Sequence, residues 1–145
     1  MDNLLIRKLK TEDAEDISRI YLAITHNPAG TDFRKIIEEY ARNQENACFV
    51  AEFQGKVVGY IISYFLSGGF GTDRSAWIPM LGVAPKFMGQ GIGKRLADKM
   101  FDFYRSAGIK YIYTSVRWDS ADLLSFFKTL DFDRSDFINL RKVLG

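Results

Sequence analysis

Cysteine is almost absent from this sequence, with Cys48 as the only one among 145 residues. A single thiol cannot form a disulfide within the chain, and it cannot provide the cysteine cluster that holds a structural zinc ion. We therefore expect a protein of the reducing cytoplasm that binds no metal. Cys48 itself is expected to be a core residue.

Long apolar runs and an excess of one charge are missing as well. No segment approaches the length of a membrane span, and the opening residues MDNLLIRKLKTED lack the apolar stretch of a secretory signal. The formal net charge of +2 is too small to predict a nucleic-acid partner, which normally binds a concentrated basic face. The hydrophobic content of 47% predicts one globular domain over residues 1–145.

Hydrophobic periodicity and turn residues predict the order βααβββαβαβ. The strands are expected over residues 4–9, 47–53, 56–66, 76–83, 111–116 and 137–143, and the helices over residues 12–25, 33–43, 92–106 and 119–130. Gln54 and Gly55 predict a tight hairpin, so the second and third strands are expected to pair antiparallel. This order indicates an α/β or α+β fold with a single mixed, mostly antiparallel sheet flanked by helices.

Three glycines at alternate positions, Gly89, Gly91 and Gly93, precede the third helix in the stretch VAPKFMGQGIGKRLADK. Glycine allows a ligand to approach the backbone closely, and the N–H groups of a helix N-terminus attract anions. Lys94 and Arg95 follow in the first turn, where a cation opposes the helix dipole unless an anion is bound. The stretch indicates a pyrophosphate site, with a plain strand-to-helix connection as the alternative.

Two common phosphate motifs do not fit these glycines. A P-loop would need glycine in place of Met88 and Ser or Thr in place of Arg95. A dinucleotide fingerprint that began at Gly91 would need its third glycine at the position of Leu96. A general nucleotide-binding module is therefore the weaker interpretation of the anion site.

The run LGVAPKFMGQGIGKRLADKMFDFYRSAG resembles motif A of the GNAT superfamily, the acyl-CoA-dependent N-acetyltransferases. The segments IRKLKTEDAEDISRIY, FVAEFQGKVVGYIISY and YIYTSVRWDSADLLSFFKTLDF resemble, in order, the family's first strand and helix, its second and third strands, and its fifth strand with the following helix. The resemblance covers nearly the whole chain. It implies a transferase that takes an acetyl group from acetyl-CoA and passes it directly to a primary amine in a ternary complex.

The resemblance also implies which residues bind acetyl-CoA. In the family, the backbone of the fourth strand binds the pantetheine arm and the next turn holds the pyrophosphate. The residues in those places are Leu81, Gly82 and Val83 for the arm, and Gly89, Gln90, Gly91, Ile92, Gly93, Lys94 and Arg95 for the phosphates. Pro79 and Gly82 are expected at a bulge that splays the fourth strand from the fifth.

Three residues depart from the family pattern. Met88 lies in the phosphate turn where the family prefers Gln or Arg, so one side-chain contact to the pyrophosphate is expected to be lost. Ser120 replaces a frequent Asn and is expected to take over its polar contact to the cofactor. Phe127 stands where many members carry the Tyr that protonates the departing thiolate, so it is expected to adjoin the cofactor but cannot perform that step.

Acid and base chemistry therefore has several candidates. Tyr113, Ser120 and Ser125 are the substitute proton donors. Asp119 is the first candidate for the base, although it is also expected to cap the last helix. The alternatives for the base are Asp122, Asp73, Glu52 and His26.

The acceptor amine is expected to bind between residues 25–40 and 67–73. A protein N-terminus, a lysine side chain and a small-molecule amine all remain open. A non-catalytic CoA-binding regulatory domain of the same fold is the alternative function, because Phe127 lacks the acidic hydroxyl. Residues 137–143 are expected to offer a sheet edge through which a homodimer would pair.

Overall fold

The computed structural model describes residues 3–26, 31–71 and 73–145. The order of helices and strands is β1 (Leu4–Lys8), α1 (Ala14–Thr25), α2 (Thr31–Arg42), β2 (Phe49–Phe53), β3 (Lys56–Ser67), β4 (Arg74–Val83), α3 (Ile92–Ser106), β5 (Ile112–Thr114) and α4 (Ala121–Thr129). The chain divides into two compact units, Met1–Thr114 and Ser115–Gly145. The first unit contains the sheet and the second contains α4, while a single domain over residues 1–145 stays a prediction.

Strands β1 to β5 form one sheet in the order of the sequence. The first four pair antiparallel and β5 lies parallel to β4, which confirms the predicted mixed, mostly antiparallel sheet. The hairpin between β2 and β3 is confirmed as well. Gln54 and Gly55 have φ values of 52° and 78°, and a type I′ turn requires positive φ at both central residues.

The sheet carries helices on both faces. Side chains alternate along a strand, so Gly59 and Tyr60 of β3 face opposite sides. Tyr60 belongs to a buried cluster with Ile17 of α1 and Ile37 of α2, whereas an added Cβ at Gly59 would lie 3.1 Å from Ile92 of α3. Helices α1 and α2 therefore cover one face and α3 covers the other. Burial of each such aliphatic side chain contributes about 1.5–3 kcal/mol to folding.

Strand β4 contains a bulge at Ile78 and Pro79. These two residues lie opposite Ser63 alone, because the register with β3 shifts between Ile62 and Tyr64. Proline has no N–H to donate, so it fits a position outside the regular ladder. The predicted irregularity at Pro79 is confirmed.

Gly82 has a different role from the predicted one. It pairs with Tyr60 in the regular part of the ladder, and an added Cβ would lie 2.8 Å from Cε1, Cζ and Oη of the Tyr60 ring. A side chain at Gly82 would therefore collide with Tyr60. The expectation that Gly82 marks the bulge is wrong, because the bulge lies at Ile78 and Pro79.

The predicted final strand over residues 137–143 is not formed. These residues have no helical or strand structure, and Ile138 and Leu140 are 83% and 88% exposed. An apolar pattern is a local signal, whereas a strand requires a neighbour that takes up its N–H and C=O groups. In the described unit Ser115–Gly145, α4 is the only regular element.

Replacing Gly82 with Ala is expected to destabilise the fold by about 1–3 kcal/mol, the usual cost of overpacking a buried site. Chemical denaturation measures this loss as the free energy of unfolding. The same substitution in a Tyr60→Leu background is expected to cost less, because the ring that it would meet is gone. Equal costs in the two backgrounds would contradict the contact.

Candidate acyl-CoA site

Strand β4 loses one of its two neighbours halfway along its length. Strand β5 pairs with β4 from Ala76 to Ile78 and goes no further. The Thr114 hydroxyl closes this pairing by donating to the Ile78 carbonyl oxygen at 2.8 Å. In the described part of the first unit, residues 79–83 of β4 therefore have β3 as their only strand neighbour. We call the side of residues 79–83 that faces away from β3 the outer edge of β4.

The outer edge presents main-chain groups of Leu81 and Val83. Ala84 donates its N–H to the Val58 carbonyl oxygen at 2.8 Å, and bonded and non-bonded pairs alternate along an antiparallel ladder. Leu81 and Val83 fall on non-bonded pairs in this register, so their N–H and C=O groups point away from β3. Gly82, between them, turns its own groups toward β3. An extended ligand with amide groups can bind such an edge as an added strand would.

A glycine turn joins β4 to α3. The chain makes a 3₁₀ turn at Pro85–Phe87, and Gly89 and Gly91 then take left-handed conformations with φ of 79° and 80°. Residues with a Cβ rarely adopt this conformation. An added Cβ at either glycine would meet nothing within 4 Å, so backbone geometry rather than crowding selects glycine here.

The turn and the start of α3 present a row of N–H groups. Among the described residues, no protein acceptor bonds to the main-chain N–H groups of residues 89–94, and the N-cap Gly91 makes no side-chain cap. The next N–H, of Arg95, donates to the Gly91 carbonyl oxygen at 3.1 Å. Unpaired N–H groups at the positive end of a helix dipole fit a phosphate or a pyrophosphate.

The side chains around the turn contribute less. Lys94 Nζ lies 2.7 Å from Oδ2 of Asp98, and the Arg95 guanidinium lies 3.4 Å from the Leu4 carbonyl oxygen of β1. The Lys94 pair is exposed, so it is worth at most about 1 kcal/mol and can rearrange. Met88 is 53% exposed and carries no charge. The main chain therefore offers most of the hydrogen-bond donors at this turn.

The predicted base Asp119 lies in an ion pair. Arg117 donates from Nε and Nη2 to the two carboxylate oxygens, each at 3.1 Å, and this hydrogen bonding lowers the pKa of Asp119. A carboxylate with a lowered pKa accepts a proton poorly at neutral pH. Helix α4 begins at Ala121 with Ser120 at its N-cap, so the expectation that Asp119 caps this helix is wrong. The catalytic and cofactor roles of Ser120 stay predictions.

Two other predicted residues lie in aromatic clusters. Tyr113 of β5 stacks on Trp77 of β4, with centroids 4.8 Å apart and an angle of 29° between the rings. Within the second unit, Phe127 packs edge-on against Phe126 and Phe132 at centroid distances of 5.3 and 5.1 Å. The proton-donor role of Tyr113 and the cofactor contact of Phe127 stay predictions.

Glu52, an alternative base, belongs to a charge cluster that the sequence did not reveal. Arg7 donates to Glu52 at 3.0 Å and to both oxygens of the Asp13 carboxylate at 2.9 Å. Hydrogen bonding to Asp13 raises the pKa of Arg7. Asp13 is only 5% exposed, and an unpaired charge there would be costly to bury. The cluster ties the chain before α1 to the sheet, so Glu52 has a structural role.

Cys48 is a core residue, as expected. It is 2% exposed, its thiol donates to the Ser63 carbonyl oxygen at 3.2 Å, and burial raises its pKa to about 11. The thiolate is the reactive form of cysteine, so both its protonation and its burial make Cys48 inert in the native protein.

We expect Cys48 to resist Ellman's reagent at pH 8 in the native protein and to react fully after unfolding in guanidinium chloride. With the pKa raised to about 11, on the order of one thiol in a thousand is ionised at this pH. The absorbance of the released thiol measures the reaction. Rapid stoichiometric labelling of the native protein would contradict the burial of this side chain.

The residues that the structure describes contain no group of three or more His, Cys, Asp and Glu side chains that could hold a metal ion. None of their helices is both long and apolar enough to cross a membrane. The unpaired main-chain groups of the outer edge of β4 and of the glycine turn make these two segments the candidate site.

Known proteins share this fold. An aminoglycoside acetyltransferase, meta-AAC0020, from an uncultured soil metagenomic sample in complex with sisomicin is 22% identical, with 99% of this chain and 98% of that chain covered and a TM-score of 0.82. Aminoglycoside N-acetyltransferase AAC(6')-Iy in complex with CoA is 13% identical, with 97% and 94% covered and a TM-score of 0.84. A ribosomal-protein-alanine N-acetyltransferase from Brucella melitensis biovar Abortus 2308 is 18% identical, with 98% and 99% covered and a TM-score of 0.75.

These similarities, together with the sheet, define an acetyltransferase fold. A family model described as the acetyltransferase (GNAT) family matches residues 14–132, which is most of the chain. The chain belongs to the GNAT family of acetyltransferases. The resemblance first seen in the glycine-rich stretch is thereby confirmed.

Proposed function

We propose that this protein is an N-acetyltransferase that passes the acetyl group of acetyl-CoA to a primary amine by direct transfer in a ternary complex. The observation that carries the proposal is the row of unpaired N–H groups at residues 89–94, directly after the outer edge of β4. The row fits a pyrophosphate and the edge fits an arm that contains amides, and acetyl-CoA has both. The CoA complex of AAC(6')-Iy supports the same ligand.

Each part of the candidate site has its own role in this proposal. The N–H groups of residues 89–94 bind the pyrophosphate, and Lys94 exchanges its exposed pairing with Asp98 for a phosphate oxygen. Leu81 and Val83 bind the pantetheine arm through their N–H and C=O groups, which aligns the thioester along β4. Acetyl-CoA supplies the activated acetyl group when it is bound.

Proton movements complete the reaction. The attacking amine must be neutral, and it loses a proton while the departing thiolate gains one. The ion pair with Arg117 weakens Asp119 as the base. An ordinary thiol pKa is about 8.5, so solvent can neutralise the thiolate even without the missing Tyr at Phe127.

The acceptor is proposed to be a primary amine on a protein N-terminus, a lysine side chain or a small molecule. Relatives of this fold are described as aminoglycoside and ribosomal-protein-alanine acetyltransferases, so the fold serves both small and macromolecular acceptors. The predicted acceptor region spans residues 25–40 and 67–73. Residues 27–30 and 72 of that region lie outside the described residues.

A non-catalytic CoA-binding domain is the second candidate function. Phe127 has no hydroxyl that could protonate the thiolate, and the Asp119 carboxylate already pairs with Arg117. The acid position therefore lacks a proton donor, and the candidate base is a poor proton acceptor. This candidate uses the same CoA site and differs only in turnover.

Replacing Gly91 with Asp is expected to weaken acetyl-CoA binding by about tenfold or more, because the carboxylate would repel the phosphates. Asp tolerates positive φ better than most residues, so the fold should persist. Calorimetric titration measures the Kd. Gly68→Asp is the matched control. Gly68 also has a positive φ, 77°, and open space around an added Cβ, but it directly follows β3, at the end of that strand that is remote from the glycine turn. Unchanged affinity in Gly91→Asp, or equal losses in the two variants, would contradict the phosphate site.

Turnover separates the two candidate functions. We expect acetyl-CoA to release free CoA thiol with at least one member of a panel that contains a peptide with a free N-terminus, a lysine peptide, spermidine and kanamycin. A thiol reagent detects the release. Saturable acetyl-CoA binding with no release above the rate of hydrolysis for any amine would favour the non-catalytic domain.

A further inference from the structure

Tyr60 of β3 reaches across the sheet to β4. Its ring lies over Gly82, where Cε1, Cζ and Oη are each 2.8 Å from the position that an added Cβ would take. Gly82 lies between Leu81 and Val83, the two residues that form the outer edge. The Tyr60 hydroxyl therefore lies above the β4 backbone beside that edge, on the face covered by α1 and α2.

The Tyr60 hydroxyl is not fully buried, although the residue as a whole is only 3% exposed. Every fully buried polar side-chain atom of the described residues has a hydrogen-bond partner, and none of these residues bonds to Tyr60 Oη. The hydroxyl must therefore reach accessible space. Tyr104 provides the contrast, because its hydroxyl accepts from the Ala47 N–H at 3.1 Å and lies 2.7 Å from Ser63 Oγ in the core.

A phenol in this position keeps its proton. Burial raises the pKa of Tyr60 to about 12, and the nearby Tyr21 of α1 acts in the same direction. The hydroxyl is therefore a neutral hydrogen-bond donor at physiological pH. A hydrogen-bond donor that is already in place before the reaction stabilises a developing negative charge more than water does.

We infer that Tyr60 is a catalytic residue whose hydroxyl donates a hydrogen bond to the thioester carbonyl oxygen of acetyl-CoA at the outer edge of β4. This inference rests on the proposed acetyl transfer and assigns a residue to it. Gly82 is part of the arrangement, because any side chain there would displace the ring.

The hydrogen bond acts where charge develops. The amine lone pair forms the new C–N bond while the carbonyl π electrons move to oxygen. Those electrons re-form the carbonyl as the C–S bond breaks and its pair leaves on sulfur. The extra proton of the amine reaches the sulfur through solvent, which gives an amide and free CoA thiol. The Tyr60 hydroxyl lowers the barrier by holding the oxygen while it carries the charge.

Tyr60→Phe removes the hydroxyl and keeps the ring over Gly82. We expect kcat with a turned-over amine to fall on the order of 100-fold, the usual loss when one donor to such an oxygen is removed. The Kd of acetyl-CoA and the Tm should stay unchanged, because the hydroxyl bonds to none of the residues that the structure describes. An unchanged kcat, or a Tm that falls together with kcat, would overturn the catalytic role.

Tyr104→Phe is the matched control, since it also removes one tyrosine hydroxyl from the first unit. Its hydroxyl bonds in the core, so we expect a lower Tm and an unchanged kcat for the folded protein. The two variants should thus show opposite patterns of stability and turnover. A loss of kcat in Tyr104→Phe equal to that in Tyr60→Phe would overturn the specific role of Tyr60.

A second readout does not depend on turnover. Acetyl-CoA labelled with carbon-13 at the carbonyl is bound without an amine, and NMR compares its carbonyl resonance in the wild type and in Tyr60→Phe. We expect the resonance to lie further downfield in the wild type, as a hydrogen bond to the oxygen requires. Equal resonances in two bound complexes would overturn the inference alone, whereas absence of binding to the wild type would overturn the proposed function with it.

Discussion

Hydrogen bonding along only one edge of residues 79–83 of β4, among the described residues, is the constraint on which the rest of the site depends. The strand pairs with β3 along its length, but its pairing with β5 ends at Ile78, beside the bulge at Pro79. Beyond that point, Leu81 and Val83 direct main-chain groups away from the sheet. Buried main-chain groups without partners are costly, so this edge is suited to a ligand or water that supplies the missing bonds.

The glycine turn continues the same arrangement from strand to helix. Gly91 stands at the N-cap of α3 without a side chain that could cap it. A capping Ser or Asp would contribute about 1 kcal/mol to stability, but it would occupy N–H groups that the proposed pyrophosphate needs. The fold is secured elsewhere, by the two helix-covered faces of the sheet and by the partly buried pairing of Arg7 with Asp13. Stability and binding thus depend on different parts of the first unit.

Hydrophobic periodicity and turn residues correctly predicted helix α3 and the hairpin between β2 and β3, because both depend on residues close together in sequence. Helix α3 has the predicted bounds of residues 92–106. The antiparallel hairpin that Gln54 and Gly55 predicted between β2 and β3 is also present. The prediction of a strand over residues 137–143 was wrong, because an apolar pattern does not supply a neighbouring strand that takes up the N–H and C=O groups. The role of Gly82 was missed because it depends on the residue opposite, Tyr60, which only the register between β3 and β4 determines.

The sequence predicted the main-chain N–H groups of the candidate site better than it predicted the ion pairs of the side chains around it. Glycine spacing indicated the candidate anion site, because φ values and N–H groups are local properties. The pairing of Lys94 with Asp98 and of Asp119 with Arg117 was overlooked, although both pairs are close in sequence. Residues four apart on a helix are neighbours, so the first of these pairs could have been predicted.

Amide hydrogen exchange with and without acetyl-CoA tests the central claim most directly. In the free protein the amide of Gly82, which faces β3, should exchange slowly, and the amides of Leu81 and Val83 should exchange fast. Acetyl-CoA at saturation should slow exchange at Leu81, at Val83 and across residues 89–94. Saturating acetyl-CoA that leaves these amides unchanged, or that protects a different surface instead, would contradict the assignment of the site.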